Sequence, residues 1–166
     1  MGLFKKSFEM PKFWSHLDRH DLGFVILYPT DSEVLTVPGE IAIIPNWARP
    51  FWDPKFLRNA GSPSISIVKT GCKNPDENMV INFMKYQPDG YKNYKMGKRH
   101  PVIVAGARYL TAYEFQFALG DTRFNALSLL VQRELKLFNV TAAAEVNDFK
   151  TQRTVIERIV FSFQLI

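Results

Sequence analysis

The sequence predicts an α+β domain: a sheet-dominated sandwich or barrel-like body, one principal helix at about residues 122–138 packed on the sheet, and an extended N-terminal arm. Three observations carry this. Arg108 to Ala118 alternates with period two, placing Tyr109, Thr111, Tyr113, Phe115 and Phe117 on one face and Leu110, Ala112, Glu114 and Gln116 on the other. Phe124, Leu127, Val131, Leu135 and Phe138 recur at steps of three and four, the stripe of an amphipathic helix. The first half of the chain is cut by Pro and Gly into apolar runs that suit strands.

Residues 1–17 read as a docking arm and residues 18–166 as a single β-rich domain. In the arm Leu3, Phe4, Phe8, Met10, Phe13 and Trp14 mix with Lys5, Lys6 and Lys12, and Pro11 interrupts any helix, so the apolar side chains must rest on another surface. Gly23 to Tyr28 is a β-branched and aromatic strand stopped by Pro29; Glu40 to Ile44 follows a Pro38-Gly39 turn and closes at Pro45. Pro45, Pro50 and Pro54 forbid regular structure around Trp47 and Trp52 and predict an ordered loop or extended crossing. Ser64 to Ile67 alternates as a strand, and Met79 to Met84 reads as another, ended by Pro88-Asp89-Gly90. Gly120 breaks the aromatic strand, Asp121 caps the principal helix, and Asn139 closes it. Thr141 to Asp148 suits one or two further helical turns. Thr154 to Ile166 reads as a closing strand, with Ile159, Phe161, Phe163 and Leu165 on one side.

A length of 166 residues fits one domain, large enough to bury about 70% of its unfolded surface without a disulfide or metal. The single cysteine, Cys72, excludes an intrachain disulfide. The start of the chain lacks the apolar core of a signal peptide, which points to a reducing cytoplasm and makes Asn139-Val140-Thr141 a chance sequon. The apolar runs Phe24–Tyr28 and Ile41–Ile44 fall far short of the roughly 20 residues of a membrane span. A net charge of +5 is mild for this length and fits a lysine-rich solvated surface.

Chemistry is sparse. His16 and His20 would share a helix face as zinc ligands, but Leu17 stands where the zincin pattern wants Glu, and neither Cys72 nor His100 has a partner at ligand spacing; no metal is expected. No nucleophile elbow or phosphate-binding glycine loop occurs, and Asp31, Glu33, Asp76 and Glu77 lie in turn-like segments. No catalytic residue and no cofactor are therefore expected, and the chain reads as no enzyme. The stretch Lys85 to His100 gives an alternative: its tyrosines could stack on bases while Lys92, Lys95, Lys98 and Arg99 neutralise phosphates of a single strand. Met1 to Ser7 approaches an acylation signal, with Lys6 where Ser or Thr is wanted, which leaves a viral matrix-like, membrane-associated arm as a further alternative.

The aromatic and arginine side chains outside the sheet instead favour protein contacts: Phe4, Phe8, Phe13, Trp14, Trp47, Arg49, Phe51, Trp52, Tyr91 and Tyr94 form the candidate interface. The run Tyr113 to Gly120, the expected helix Asp121 to Phe138 and the closing segment Glu157 to Ile166 together resemble bacteriophage tail tube and tail-terminator proteins. That resemblance implies a non-enzymatic virion subunit, assembled in the host cytoplasm as a homo-oligomeric ring or stack of rings. Its partners would be other structural proteins of the particle, with nucleic acid passing nearby. The basic balance departs from the negative lumen expected of a tube and points to a neck or baseplate.

Overall fold

The computed structural model describes residues 8–53, 58–71 and 78–166, with the backbone alone described for residues 51–53, 58–60, 78, 79, 81 and 82. Strands β1 (Trp14–Arg19) and β2 (Phe24–Pro29) form a hairpin, followed by the hairpin β3 (Glu33–Val37) and β4 (Glu40–Ile44). Then come β5 (Arg49–Asp53), β6 (Arg58–Ser62), β7 (Ser64–Gly71), helix α1 (Asn78–Tyr86) and a 3-10 turn at Gln87–Gly90. The chain continues through β8 (Lys92–His100), β9 (Tyr109–Leu119), β10 (Thr122–Arg133), β11 (Lys136–Glu145), α2 (Val146–Phe161) and β12 (Gln164–Leu165).

Seven strands make one antiparallel sheet in the order β3-β4-β7-β11-β10-β9-β8. One of its faces carries Ile41, Ile43, Ile65, Ile67, Leu127, Leu129, Val131, Phe138 and Val140, and against these pack α2 and the small sheet β1-β2-β12. The opposite face carries Tyr113, Phe115, Phe117, Phe124 and Leu130, covered by Val80, Phe83 and Met84 of α1 and by Tyr91 and Tyr94. The expected class, α+β with a dominant sheet, stands. Burying each large side chain of these layers contributes about 1.5–3 kcal/mol.

The helix lies elsewhere. Residues 122–138 are not helical: they are β10, a turn at Glu134-Leu135 and the start of β11, with Arg133 opposite Lys136. The stripe was a coincidence of a strand buried on both sides, since such a strand is apolar at nearly every position and contains any spacing sought. Phe124 faces α1, Leu127 and Val131 face α2, and Leu135 is in the turn, half exposed. Asp121 is no cap but part of the two-residue turn joining Leu119 to Thr122, where Gly120 takes φ +59°. Thr154 to Phe161 is helix where a strand was expected, while Thr141 to Glu145, expected as helical turns, ends β11: the true principal helix is α2. Its buried residues Phe149, Gln152, Val155, Ile156, Ile159 and Val160 follow the helical period, whereas Phe161 is exposed.

Two smaller expectations also change. Met79 to Met84 lies in α1, because Val80, Phe83 and Met84 share one helix face on the aromatic sheet. Part of the proline-rich segment, Arg49–Asp53, is regular: β5 pairs with β6 in a two-stranded sheet, where both strands are edges and Pro50 need not donate inward.

Candidate functional site

Of the side chains expected to form an interface, Phe8, Trp14, Trp47, Arg49, Tyr91 and Tyr94 are half-buried against the chain itself. Phe8 meets Trp47 edge to face at 5.4 Å, Trp47 Nε1 donates to Gln152 Oε1 at 3.1 Å, and the Arg158 guanidinium lies 4.1 Å from the centre of the Trp14 ring. Arg49 donates to Asp148 Oδ2 through Nε at 2.8 Å and Nη2 at 2.6 Å and pairs with Glu145, tying β5 to the first turn of α2. Those carboxylates, Asp148 foremost, raise the Arg49 pKa further. Phe13 remains 74% exposed. Phe4, the Met1–Ser7 motif, and the side chains of Phe51 and Trp52 lie outside the described residues.

The tyrosines and cations expected to bind a single strand occupy different parts of the large sheet. Tyr91 packs 4.6 Å from Phe117 and Tyr94 5.2 Å from Phe115, and burial pushes both phenols above their ordinary pKa. Lys92, Lys95, Lys98 and Arg99 are exposed along β8, the last strand of the large sheet. The rings are thus built into a sheet face while the cations line its edge, where lysines and the two irregularities in the β8–β9 register guard against strand addition.

His16 and His20 are both exposed, one on β1 and one in the turn after it; the helix face they were expected to share is absent, and extended chain sets residues four apart about 13 Å from each other, too far for one ion. Among the described residues no group of three His, Cys, Asp or Glu could hold a metal; Cys72, Asp76 and Glu77 lie outside them. His100 instead joins a network between β8, β9 and α2. Its Nε2 lies 2.7 Å from Glu114 Oε2, while Arg153 donates to Glu114 Oε1 at 2.8 Å and to Glu157 Oε1 at 3.3 Å. Burial opposes ionisation of Glu114, yet the hydrogen bonds from Arg153 and His100 together hold its carboxyl below the ordinary value.

The feature best shaped to receive a ligand is a cleft of about 390 Å³ at one end of the sandwich, between the β1–β2 turn and the β3–β4 turn. Phe24, Ile41 and Ile67 lie beneath it, exposed by only 0%, 1% and 2%, and Leu22, Thr36 and Pro38 form its walls, Thr36 standing opposite Ile41 on the same face. The strand parity explains the polar groups. Ile65, Ile67 and Lys69 alternate onto the face that meets the small sheet, so the Lys69 stem continues the apolar floor to the rim. Leu17 and Arg19 do the same from β1. Arg19 is held by Asp21, with Nε to Oδ1 at 2.8 Å and Nη2 to Oδ2 at 2.7 Å, and this hydrogen bonding draws the Asp21 carboxyl down to about 2. Glu40 lines the same end, but its parity is opposite to that of Ile41, and Ser66 Oγ donates to its Oε1 at 2.9 Å on the far face. None of the cleft residues was singled out from the sequence. The available signal was an inward-facing alternation that ends on a cation, as in Ile65-x-Ile67-x-Lys69.

No protein-family model matches the sequence, and no curated protein matches it. Solved structures do share the fold. The solution structure of cyanobacterial PsbP (CyanoP) from Synechocystis sp. PCC 6803 is similar with a TM-score of 0.67 and 14% identity, over 97% of this chain and 98% of that one. The crystal structure of LpqN, involved in cell envelope biogenesis of Mycobacterium tuberculosis, is similar with a TM-score of 0.62 and 12% identity, over 92% of this chain and 90% of that one. These likenesses overturn the resemblance to bacteriophage tail tube and tail-terminator proteins, and with it the expected ring-forming virion subunit and its location in a virus particle. The tail resemblance had leaned on a helix at Asp121 to Phe138 that is in fact strand. Among the described residues no helix is long and apolar enough to cross a membrane. At these identities what is shared is a PsbP-like fold.

Proposed function

We propose that the chain is a non-enzymatic binding protein that receives an apolar group of its ligand in the cleft between Leu22 and Pro38. The cleft is the observation that carries this reading. Its volume of about 390 Å³ lies within the range of small-molecule sites, roughly 300–1,000 Å³, and apolar walls at Leu22 and Pro38 with a few polar groups at the rim are their usual chemistry. The polar clusters at His100–Glu114–Arg153 and Arg49–Asp148 bind one element of the fold to another, which supports a role in binding and not in turnover. The test is titration with Nile red, a neutral apolar dye whose emission rises on leaving water. Saturable binding of one dye per chain is expected, weakened at least about tenfold by Thr36→Trp, which fills the cleft from an edge strand on the face of Ile41. Equal binding by that variant would remove the cleft from consideration.

A second reading, self-association, is favoured by Phe13 and Met10, which are 74% and 51% exposed beside a second cavity of about 450 Å³ that also borders Trp47. Sedimentation velocity should then show a dimer or larger species that Phe13→Ser converts to monomer. A wild-type monomer at high concentration would end that reading.

A further inference from the structure

We infer that a groove between α2 and the β8 edge of the large sheet receives an extended acidic segment of a partner protein, its alternate carboxylates meeting Lys95 and the pair Lys92 and Arg123. The groove lies at the opposite edge of that sheet from the Leu22–Pro38 cleft, so this inference is independent of the binding role proposed above.

Register builds the groove. α2 packs over β10 and β11, and beside it β9 and β8 hold two adjoining depressions of about 240 and 160 Å³ that share Lys95 and Gln116. Lys95 stands opposite Gln116, and Gln116 opposite Asn125; one step along, Lys92 and Arg123 flank Ala118. Directly opposed residues of a ladder share a face, so these side chains rise from one floor. Gly97 keeps that floor low, since a Cβ there would come within 3.1 Å of Glu114 O. At the irregularity between Lys92 and Lys95, Asn93 takes φ +52° and lines the groove as well. Lys92, Asn93, Lys95, Gln116 and Arg123 are all exposed, so a ligand can touch each of them.

Charge and spacing decide the partner. Lys92, Lys95 and Arg123 form no ion pair among the described residues. The acid that lines the groove, Glu114, is held by Arg153 at 2.8 Å and by His100 at 2.7 Å, and Arg153 also meets Glu157. Asp121 is exposed in the turn before Arg123, and Lys150 is exposed one turn after Val146 on α2. Against Glu114, Glu157 and Asp121 thus stand Arg153, Lys150, Lys92, Lys95 and Arg123, and the groove with its rim is positive. The two rows of cations are two residues apart on β9, about 7 Å, the repeat of side chains on one face of an extended chain. Acidic residues at alternate positions therefore meet both rows. The amides of Asn93, Gln116 and Asn125 carry donors and acceptors alike, as a peptide backbone does, whereas a small anion would use the donors alone. Nucleic acid fits less well, because the rings that could stack on bases, Tyr91, Tyr94, Phe115 and Phe117, are packed on the other face of the sheet.

The experiment titrates the full chain into a fluorescein-labelled peptide of alternating Glu and Thr at low salt and reads the anisotropy. Saturable binding is expected, weakened by added salt as for other exposed charges. Lys95→Gln combined with Arg123→Gln should weaken it at least about fivefold, the scale of two exposed ion pairs. Lys12→Gln combined with Lys136→Gln removes the same charge far from the groove and should change nothing. The melting temperature of each variant confirms that it folds. Among peptides with only two Glu, Glu-Thr-Glu should bind more tightly than Glu-Glu, and equal binding of the two would overturn the extended register. Equal loss in both double variants, or loss in neither, would overturn the groove as the site. Equal binding of a Lys and Thr peptide would overturn the choice of an acidic partner. Release of the peptide by citrate at equal concentration would reduce the ligand to a small anion, and tighter binding of oligothymidylate through Lys95 and Arg123 would replace the polypeptide with a nucleic acid. Absence of binding by the acidic peptide would end the inference outright.

Discussion

Glu114 is a carboxylate whose own burial works against its charge, yet the groups bonded to it win. Arg153 and His100 hold its pKa below the ordinary value, so the folded state binds fewer protons at this site than the unfolded chain. Its stabilising contribution is complete above the ordinary carboxylate range and is lost as the pH falls through the depressed value. Glu114→Gln should cost about 1.5–3 kcal/mol at neutral pH, as expected for hydrogen bonds to a charged group. The same variant should flatten the fall in urea-unfolding free energy between about pH 5 and about pH 3 relative to wild type. A parallel decline in both proteins would show that the carboxylate is not linked to folding. Tyr113 is the uncharged counterpart: burial raises its phenol pKa strongly, and its hydroxyl donates to Gln87 Oε1 at 2.6 Å, an oxygen that Tyr94 also reaches at 3.1 Å. Since Gln87 keeps that second donor, Tyr113→Phe should cost only about 0.5–1.5 kcal/mol by chemical denaturation. At this scale residue type was legible and its partner was not. Trp47, Trp14, Tyr91 and Tyr94 looked adhesive because they lie in segments without a clean period, but whether a ring is covered by its own chain depends on contacts across a hundred residues, such as Trp47 with Gln152.

Individual elements were legible in proportion to how one-sided their surroundings are. β9 alternates cleanly because its two faces meet different neighbours, β7 was found by the same alternation at Ser64 to Ile67, and β2 and β4 were found for their apolar runs bounded by Pro and Gly. β10 failed because both its faces are buried, and α2 failed because its last turns and β12 together mimic alternation from Ile159 to Leu165. Truncating Ile159, fully buried between α2 and the large sheet, should cost about 2–5 kcal/mol as Ile159→Ala in a urea titration. A cost below about 1 kcal/mol would contradict the packing of α2 on the sheet. The β10–β11 turn makes a second prediction, since Glu134 takes φ +50°, which costs an L-residue about 1–2 kcal/mol. Glu134→Gly removes that strain and adds unfolded-state freedom of about 0.5–1 kcal/mol, so it should be neutral or stabilising by up to about 1 kcal/mol. Glu134→Val should shift the urea midpoint the other way.

For the molecule as a whole, the aromatic alternation and the apolar runs cut by Pro and Gly indicated a dominant sheet, and the helix of the α+β class was read from a stripe that is strand. The order of seven strands was not legible, because pairings such as β4 with β7 and β7 with β11 leave no mark in local sequence. The cleft escaped notice for the same reason: Arg19, Pro38 and Lys69 come from three separate strands or turns that only the topology brings together. The large sheet has two outer strands, and β8 is the longer, with Lys95 and Lys98 exposed on it. Replacing both lysines by Val should produce concentration-dependent light scattering that the wild type lacks, since charge on an edge deters pairing between molecules. The small sheet is completed from opposite ends of the chain: Gln164 pairs with Val25, Ile166 N donates to Gly23 O at 3.0 Å, and Ser162 Oγ accepts from Leu27 N at 2.8 Å. Synthesis therefore produces β2 long before the segments that cover it. A nascent chain halted on the ribosome ahead of Val146 keeps Phe24 and Ile26 wet, and it is this unfinished species, not the released protein, that holding chaperones have reason to grasp.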